Sequence, residues 1–276
     1  MEILNEYKIL IAIFIFLFGL GMGSFLNVVI FRVPKKISVN KSRSACPYCH
    51  RQLTWYDLIP LLSFLLLKGR CRYCQKKISW QYPIVEFITA TLFVVLFLFP
   101  PLNGTSQIFD LVYLFAICSL LLALFVIDLK TYLLPNVLTF LGIAISIIYL
   151  LIEDIILFAN QTNIEILDWH IVNGLLAAII GGGFFWILYF FSKEKWMGGG
   201  DVKLVILMGL FLGYPVILIA LFIAFFTGAI FGLVLIALGK KKMSSKIPFG
   251  TFLVPGTLIA LFYGQAVIDW YLGMIL

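Results

Sequence analysis

A chain of 276 residues that is 63% hydrophobic and 12% charged, with a mean hydropathy of +1.10, is not a water-soluble globular protein, because such proteins carry roughly 25% charged residues. Its net charge of +7 does not mark a nucleic-acid binder. Nineteen of its twenty lysines and arginines fall in loops or helix ends assignable to one membrane side, Lys8 being the exception, which is the positive-inside bias of a membrane protein.

The expected architecture is all-α and polytopic, with about eight transmembrane helices, each needing about 20 mainly apolar residues. The run after residues 1–8 is too long for a signal-peptide core and is expected as a retained first helix, about Ile9–Phe31. Within it Gly19 and Gly23 form a small-xxx-small pair suited to close helix packing. Residues 32–82 form a long polar region with eleven Lys/Arg and one acid, Asp57, for a net charge of +10. It is expected on the cytoplasmic side. Its segment Leu58–Leu67 is apolar but too short to span, and reads as re-entrant or interfacial.

Further spans are expected at about Pro83–Phe99, Ile108–Ile127, Leu133–Ile152 and Ile171–Phe191. An acidic loop at 153–170 carries Glu153, Asp154, Glu165 and Asp168 and no Lys or Arg. The apolar run after Asp201 breaks at Gly213-Tyr214-Pro215 into a short sixth span, about Val202–Leu212, and a seventh, about Val216–Leu238. A basic loop at 239–246 with four lysines precedes the eighth span, about Phe249–Tyr271. With 32–82 inside, eight crossings place both termini outside. The 128–132 turn, the 192–200 loop with Lys193 and Lys195, and the 239–247 loop then lie inside. The domain expectation is a first helix at 1–31, a basic loop domain at 32–82 and a helical domain at 83–276.

That topology gives two carboxylates one depth. Asp128 ends the third span and Asp201, after Gly198-Gly199-Gly200, begins the sixth. They are 73 residues apart in sequence, and both fall at the cytoplasmic edge. Ionisable residues there are costly and point to function. A close pair of carboxyls shares a proton and can act as base and acid in peptide hydrolysis. The glycines are expected to let a substrate backbone approach and to supply unusual backbone angles. Lys130 and Lys203 read mainly as interfacial anchors, Lys203 with a secondary reading as a tuner of the pair or a substrate contact. Asp110 and Asp269 read as solvated. Glu86 either lines the site or reaches the interface.

Cys46-Pro-Tyr-Cys49 and Cys71-Arg-Tyr-Cys74 are two CxxC pairs with 21 residues between Cys49 and Cys71. This pattern fits a four-thiolate zinc site in which each pair forms one knuckle. A reducing cytoplasm disfavours disulfides. Four protein ligands leave no open position, so the zinc is expected to be structural. His50 is surplus to that set, Cys118 reads as a small packing residue within a span, and His170 has no evident partner.

The chain resembles the prepilin peptidases, or type IV leader peptidases. The resemblance rests on the ordered set Gly23–Arg32, Cys46–Cys49, Leu53–Pro60, Gly69–Cys74, Ile78–Glu86, Asp128 with Leu134-Pro135-Asn136, the GGGDVKL stretch, and Pro248-Phe249-Gly250. It implies an aspartic membrane protease of the GxGD class, with Gly198, Gly200 and Asp201 filling the motif and Asp128 as partner. Such enzymes cut the basic leader from type IV prepilins or pseudopilins at the cytoplasmic face of the bacterial inner membrane. Members with the cysteine loop also methylate the new N-terminal amine with S-adenosylmethionine, so both activities are implied. For the methyl-donor site the sequence offers only Asp57, Glu86 and the Gly21–Asn27 segment. Three rivals stand beside this reading: a proton- or ion-coupled transporter using the same aspartates, a zinc-stapled scaffold, and a GxGD protease of other substrates.

Overall fold

The computed structural model describes residues 2–39, 43–102, 104, 106–160, 169–193, 197–239 and 248–275. Glu165, Asp168, Lys195 and the four lysines of 239–246 lie outside the described residues. Nine α-helices occur among them: α1 (Glu2–Arg32), α2 (Leu62–Leu66), α3 (Gln81–Leu98), α4 (Gln107–Thr131), α5 (Asn136–Asn160), α6 (His170–Ser192), α7 (Gly199–Leu212), α8 (Val216–Ala237) and α9 (Gly250–Ile275). The described residues include no strand, only isolated bridges.

Seven of these helices are long and apolar enough to cross a membrane: α1, α3, α4, α5, α6, α8 and α9. They coincide with seven of the eight expected spans. The remaining one, α7, has 14 residues, about 21 Å at 1.5 Å per residue, against a hydrocarbon core of about 30 Å. It is apolar all round, with residues on every face buried, as befits a helix enclosed by others.

The chain divides into two compact units. The first comprises residues 1–100 with 114–119 of α4. Its frame is the α1–α3 pair. A Cβ built on Gly19 would lie 2.6 Å from Ala90 Cα, and one on Gly23 2.6 Å from Glu86 Cα, so the glycine pair brings the two backbones into contact, as its spacing predicts. Asn27 closes the end of this pair. Its amide donates to Gly23 O and Tyr82 O, and its oxygen accepts from Gln81. Arg32 then folds the chain back by donating to Ser38 O and Val39 O. The segment expected to be re-entrant or interfacial forms a 3₁₀ turn, Trp55–Leu58, followed by a tight turn at Leu61 (φ 57°, ψ −48°) and the five-residue α2.

The second unit comprises residues 101–113 and 120–276. Here α7 is packed by α5, α6 and α9. Gly209 is the closest approach, its hypothetical Cβ 2.6 Å from the backbone of Ala178 in α6. The break at Gly213–Pro215 joins α7 to α8, and Asn173 of α6 pins it by bonding both Tyr214 N and Tyr214 O.

Several acids depart from the expected arrangement. Glu153 and Asp154 are not in a loop: α5 runs on to Asn160, and both are buried. Asp154 accepts bonds from His170 N, His170 Nδ1 and Ile171 N, so His170 does have a partner. Asp110 is 2% exposed rather than solvated. It accepts bonds from Gly104 N and the Tyr149 hydroxyl, each at 2.9 Å. In an apolar bundle an acid persists where donors surround it. Asp269 is exposed, as expected.

Candidate active site and metal centre

Asp128 lies in the last turn of α4 and Asp201 in the first turn of α7, both in the second unit. They are 4% and 9% exposed; Gly250 borders both Asp128 and Leu134, and Leu134 also borders Gly200, next to Asp201. The two carboxylates expected at one depth thus flank one small region of the second unit.

Each carboxylate is held by a helix N-terminus. Asp201 is the third residue of α7 and reaches back to Gly198 N–H at 3.2 Å, the carboxylate half of a capping box. Asp128 Oδ2 accepts from Thr251 N–H of α9 at 3.0 Å. Leu134 packs beside both. A Cβ on Gly200 would lie 3.0 Å from Leu134 Cβ, and one on Gly250 would lie 3.4 Å from Leu134 Cδ1. Gly198 has ordinary extended angles (φ −83°, ψ 148°). The glycines before Asp201 are thus not there for unusual backbone angles; Gly200 is there for close packing.

Lys203 does not face Asp201. Its Nζ donates to Asn136 Oδ1 at 2.9 Å and lies 5.5 Å from the centre of the Phe140 ring. It ties the first turn of α7 to the first turn of α5, next to the Leu134-Pro135 segment. Lys130 is exposed, as an interfacial anchor would be.

The four cysteines of the first unit converge. Their sulfurs lie within 4.8 Å of one another, and Cys46 Sγ is 3.8 Å from Cys74 Sγ. Four sulfurs placed tetrahedrally about 2.3 Å from zinc are about 3.8 Å apart, so the set fits that metal. No disulfide joins them. The two CxxC segments fold alike. Cys46 N bonds to Arg51 O and His50 N to Cys46 O, while Cys71 N bonds to Lys76 O and Gln75 N to Cys71 O. Bridges Ala45–Gln52 and Arg70–Lys77 close the two knuckles. His50 and Gln75 occupy equivalent positive-φ positions, at 56° and 57°, so His50 serves the turn rather than the metal. As neutral thiols the sulfurs crowd one another. The Lys76 N–H favours the Cys74 thiolate, but burial and the three neighbouring sulfurs push its pKa up to about 11. A divalent cation reverses that preference.

The knuckles are cross-braced by contacts the sequence did not announce. Arg51 of the first stacks 4.2 Å from the Tyr73 ring of the second, and Lys76 of the second 4.8 Å from the Tyr48 ring of the first. The signal was the tyrosine at the third position of each CxxC. Asp57 completes the brace. It accepts from Thr54 Oγ1 at 2.6 Å, Arg72 Nε at 2.8 Å and Tyr73 Oη. Burial raises its pKa, but the bonds from Thr54 and Arg72 outweigh that and hold it below the ordinary aspartate value. Glu86, expected to line the site or reach the interface, is 7% exposed. It is buried against α1, accepting from Leu61 N–H at 2.9 Å and from Ser24. It therefore stabilises the Leu61 turn. The two carboxylates expected near a methyl donor, Asp57 and Glu86, thus accept hydrogen bonds from within the fold.

Fold and sites together define a polytopic helical membrane protein with two buried aspartates in its second unit and a four-cysteine cluster that could hold a metal ion. Comparison with known sequences narrows the class. Residues 17–99 match the bacterial peptidase A24 N-terminal domain, and residues 115–233 match the type IV leader peptidase family. The prepilin leader peptidase/N-methyltransferase of Bacillus subtilis (strain 168) is 33% identical over 95% of this chain and 98% of its own length. Proteins of the same name from Aeromonas salmonicida (strain A449) and Legionella pneumophila are 33% and 34% identical, covering 95% and 93% of this chain and 94% and 93% of theirs. No solved structure matches. The chain belongs to the type IV leader peptidase family.

Proposed function

We propose that this protein cleaves the leader peptide from type IV prepilins or pseudopilins at the cytoplasmic face of the bacterial inner membrane, with Asp128 and Asp201 as the catalytic dyad. It then methylates the new N-terminal amine, with S-adenosylmethionine as donor. The observation carrying this reading is the burial of two carboxylates, 73 residues apart in sequence, that flank Leu134 and Gly250 in the second unit. The names of the relatives support the substrate class and the second activity. Proton-coupled transport would also use two buried acids, but it leaves the four-cysteine centre and the family unexplained.

In the proposed mechanism the two carboxyls hold one proton between them. The ionised carboxylate takes a proton from water as the water oxygen attacks the scissile carbonyl carbon. The protonated partner gives its proton to the carbonyl oxygen. The resulting diol then collapses: the C–N bond breaks as the departing amine takes a proton from the dyad, and one diol hydroxyl returns a proton to the other carboxylate, leaving a carboxylic acid and one proton on the dyad. A prepilin with a cytosolic basic leader and a membrane-embedded apolar helix would present its scissile bond at this depth. Cys46, Cys49, Cys71 and Cys74 would hold a structural zinc, which supplies folding free energy and no open position for hydrolysis.

Asp128→Asn and Asp201→Asn keep a side-chain oxygen to accept the amide bonds but cannot serve as the acid–base pair. Each is expected to lower cleavage of a prepilin-like peptide by about 10³-fold or more, while the protein still inserts and purifies. Near-normal cleavage by either variant would falsify the dyad.

A further inference from the structure

Helix α9 begins without a capping side chain of its own. Phe249 stands at its N-cap, where its carbonyl accepts from Phe252 N and Leu253 N. The first N–H groups of a helix need partners from outside it, and inside a membrane protein an unmet N–H is costly. Here the partner is Asp128. Thr251 N–H donates to Asp128 Oδ2 in a buried bond of 3.0 Å across 123 residues of sequence. The fit admits no side chain at position 250, where a Cβ would stand 2.8 Å from Asp128 Oδ2. Thr251 Oγ1 closes the turn by donating to Pro248 O at 2.6 Å.

We propose that the turn Pro248–Thr251 is a positioning element of the dyad: by fixing Oδ2 of Asp128 it sets the orientation in which that carboxylate meets its partner and water. This rests on the dyad reading above. Gly250 and Thr251 act through Asp128 and are positioning residues. The same bond pattern recurs at the start of α6, where Asp154 accepts from His170 N and Ile171 N. There the acid only caps a helix, and the start of α6 is at the far end of that helix from Gly199. A test must therefore separate positioning from capping.

Full-length Gly250→Ala, Thr251→Pro, Thr251→Ser and Ile171→Pro variants would be purified and assayed for kcat and KM on a prepilin-like peptide, with thermal midpoints measured alongside. Proline in the first turn removes one donor without breaking the helix. Gly250→Ala and Thr251→Pro are expected to lower kcat by about 10- to 100-fold with KM within about twofold, the scale of a small misplacement of a catalytic group. Thr251→Ser, which keeps both the N–H and the hydroxyl, restores kcat. Ile171→Pro lowers the thermal midpoint and leaves kcat unchanged. Should Thr251→Pro fail to fold, Gly250→Ala carries the same prediction with the cap amides intact. Wild-type kcat in folded Gly250→Ala overturns the proposal, as does a kcat loss in Ile171→Pro as large as in Thr251→Pro. Neither result touches the dyad, whose own failure is cleavage by Asp128→Asn.

Discussion

Five of the six buried acids among the described residues share a habit: each meets backbone N–H groups. Asp154 caps α6, Asp201 caps α7, Asp128 caps α9, Glu86 holds Leu61 N–H and Asp110 holds Gly104 N–H. Burial alone therefore does not pick out a catalytic acid, since Asp110 and Asp154 are as buried as Asp128. In the proposed function it is the pairing of Asp128 with Asp201 that does, and the sequence suggests that pairing because topology gives both one depth. The caps of α6 and α9 were not legible, because the acids that supply them, Asp154 and Asp128, lie on other helices, the latter 123 residues away. Asp57 shows the same principle outside the membrane segments. Bonds from Thr54 and Arg72 hold its pKa below the usual aspartate value of 3.8. A carboxyl depressed in the folded state adds stability that is full above the unfolded pKa and fades as pH falls through the folded one. Asp57→Asn is thus expected to lower the thermal midpoint by the same few degrees at every pH from about 5 to 8. A difference that vanished within that window would show that the Arg72 pair does not act as drawn.

At the scale of elements, hydropathy placed every long helix, yet it misjudged ends. The loop proposed at 153–170 arose because Glu153 and Asp154 depress a hydropathy window, whereas in the structure α5 continues through them to Asn160. Likewise α2 and the turn at Leu61 were read only as an apolar stretch too short to span. Their shape depends on Glu86, a residue of α3. The two knuckles were legible as ligand spacing, but their reciprocal cation–π contacts were not, because each tyrosine pairs with a cation of the other knuckle. Such contacts contribute only about 0.5–1 kcal/mol each at exposed sites, so they orient the knuckles, while metal binding supplies far more. About one zinc per chain is expected in native protein, with loss of it when Cys46 and Cys71 are both replaced by Ser. Metal analysis finding none in carefully prepared native enzyme would remove zinc from the account.

At the scale of the whole molecule, the four-cysteine centre and the aspartate pair belong to different compact units. Residues 43–80 have few apolar side chains buried in the fold, Phe64 and the two cysteines Cys46 and Cys71 among them. A segment with so little core depends on its metal. The second unit is built differently. Its dyad is framed by α4, α5, α7 and α9, whose contacts are apolar side chains and backbone amides, with no thiol involved. Removing the metal should therefore disorder the knuckles and leave the dyad's own frame standing. If methyl transfer is housed with the cysteines, a strong thiol-competent chelator abolishes methylation of a pre-cleaved peptide while cleavage of the intact precursor continues at more than about half its rate. Mass spectrometry of the product reads both outcomes in one sample: cleaved and methylated before chelation, cleaved and unmethylated after it. Zinc restored to the same sample returns the methylated product. Cleavage falling in step with the metal content would show instead that the dyad depends on the knuckles, and the separation of the two activities along the chain would have to be abandoned.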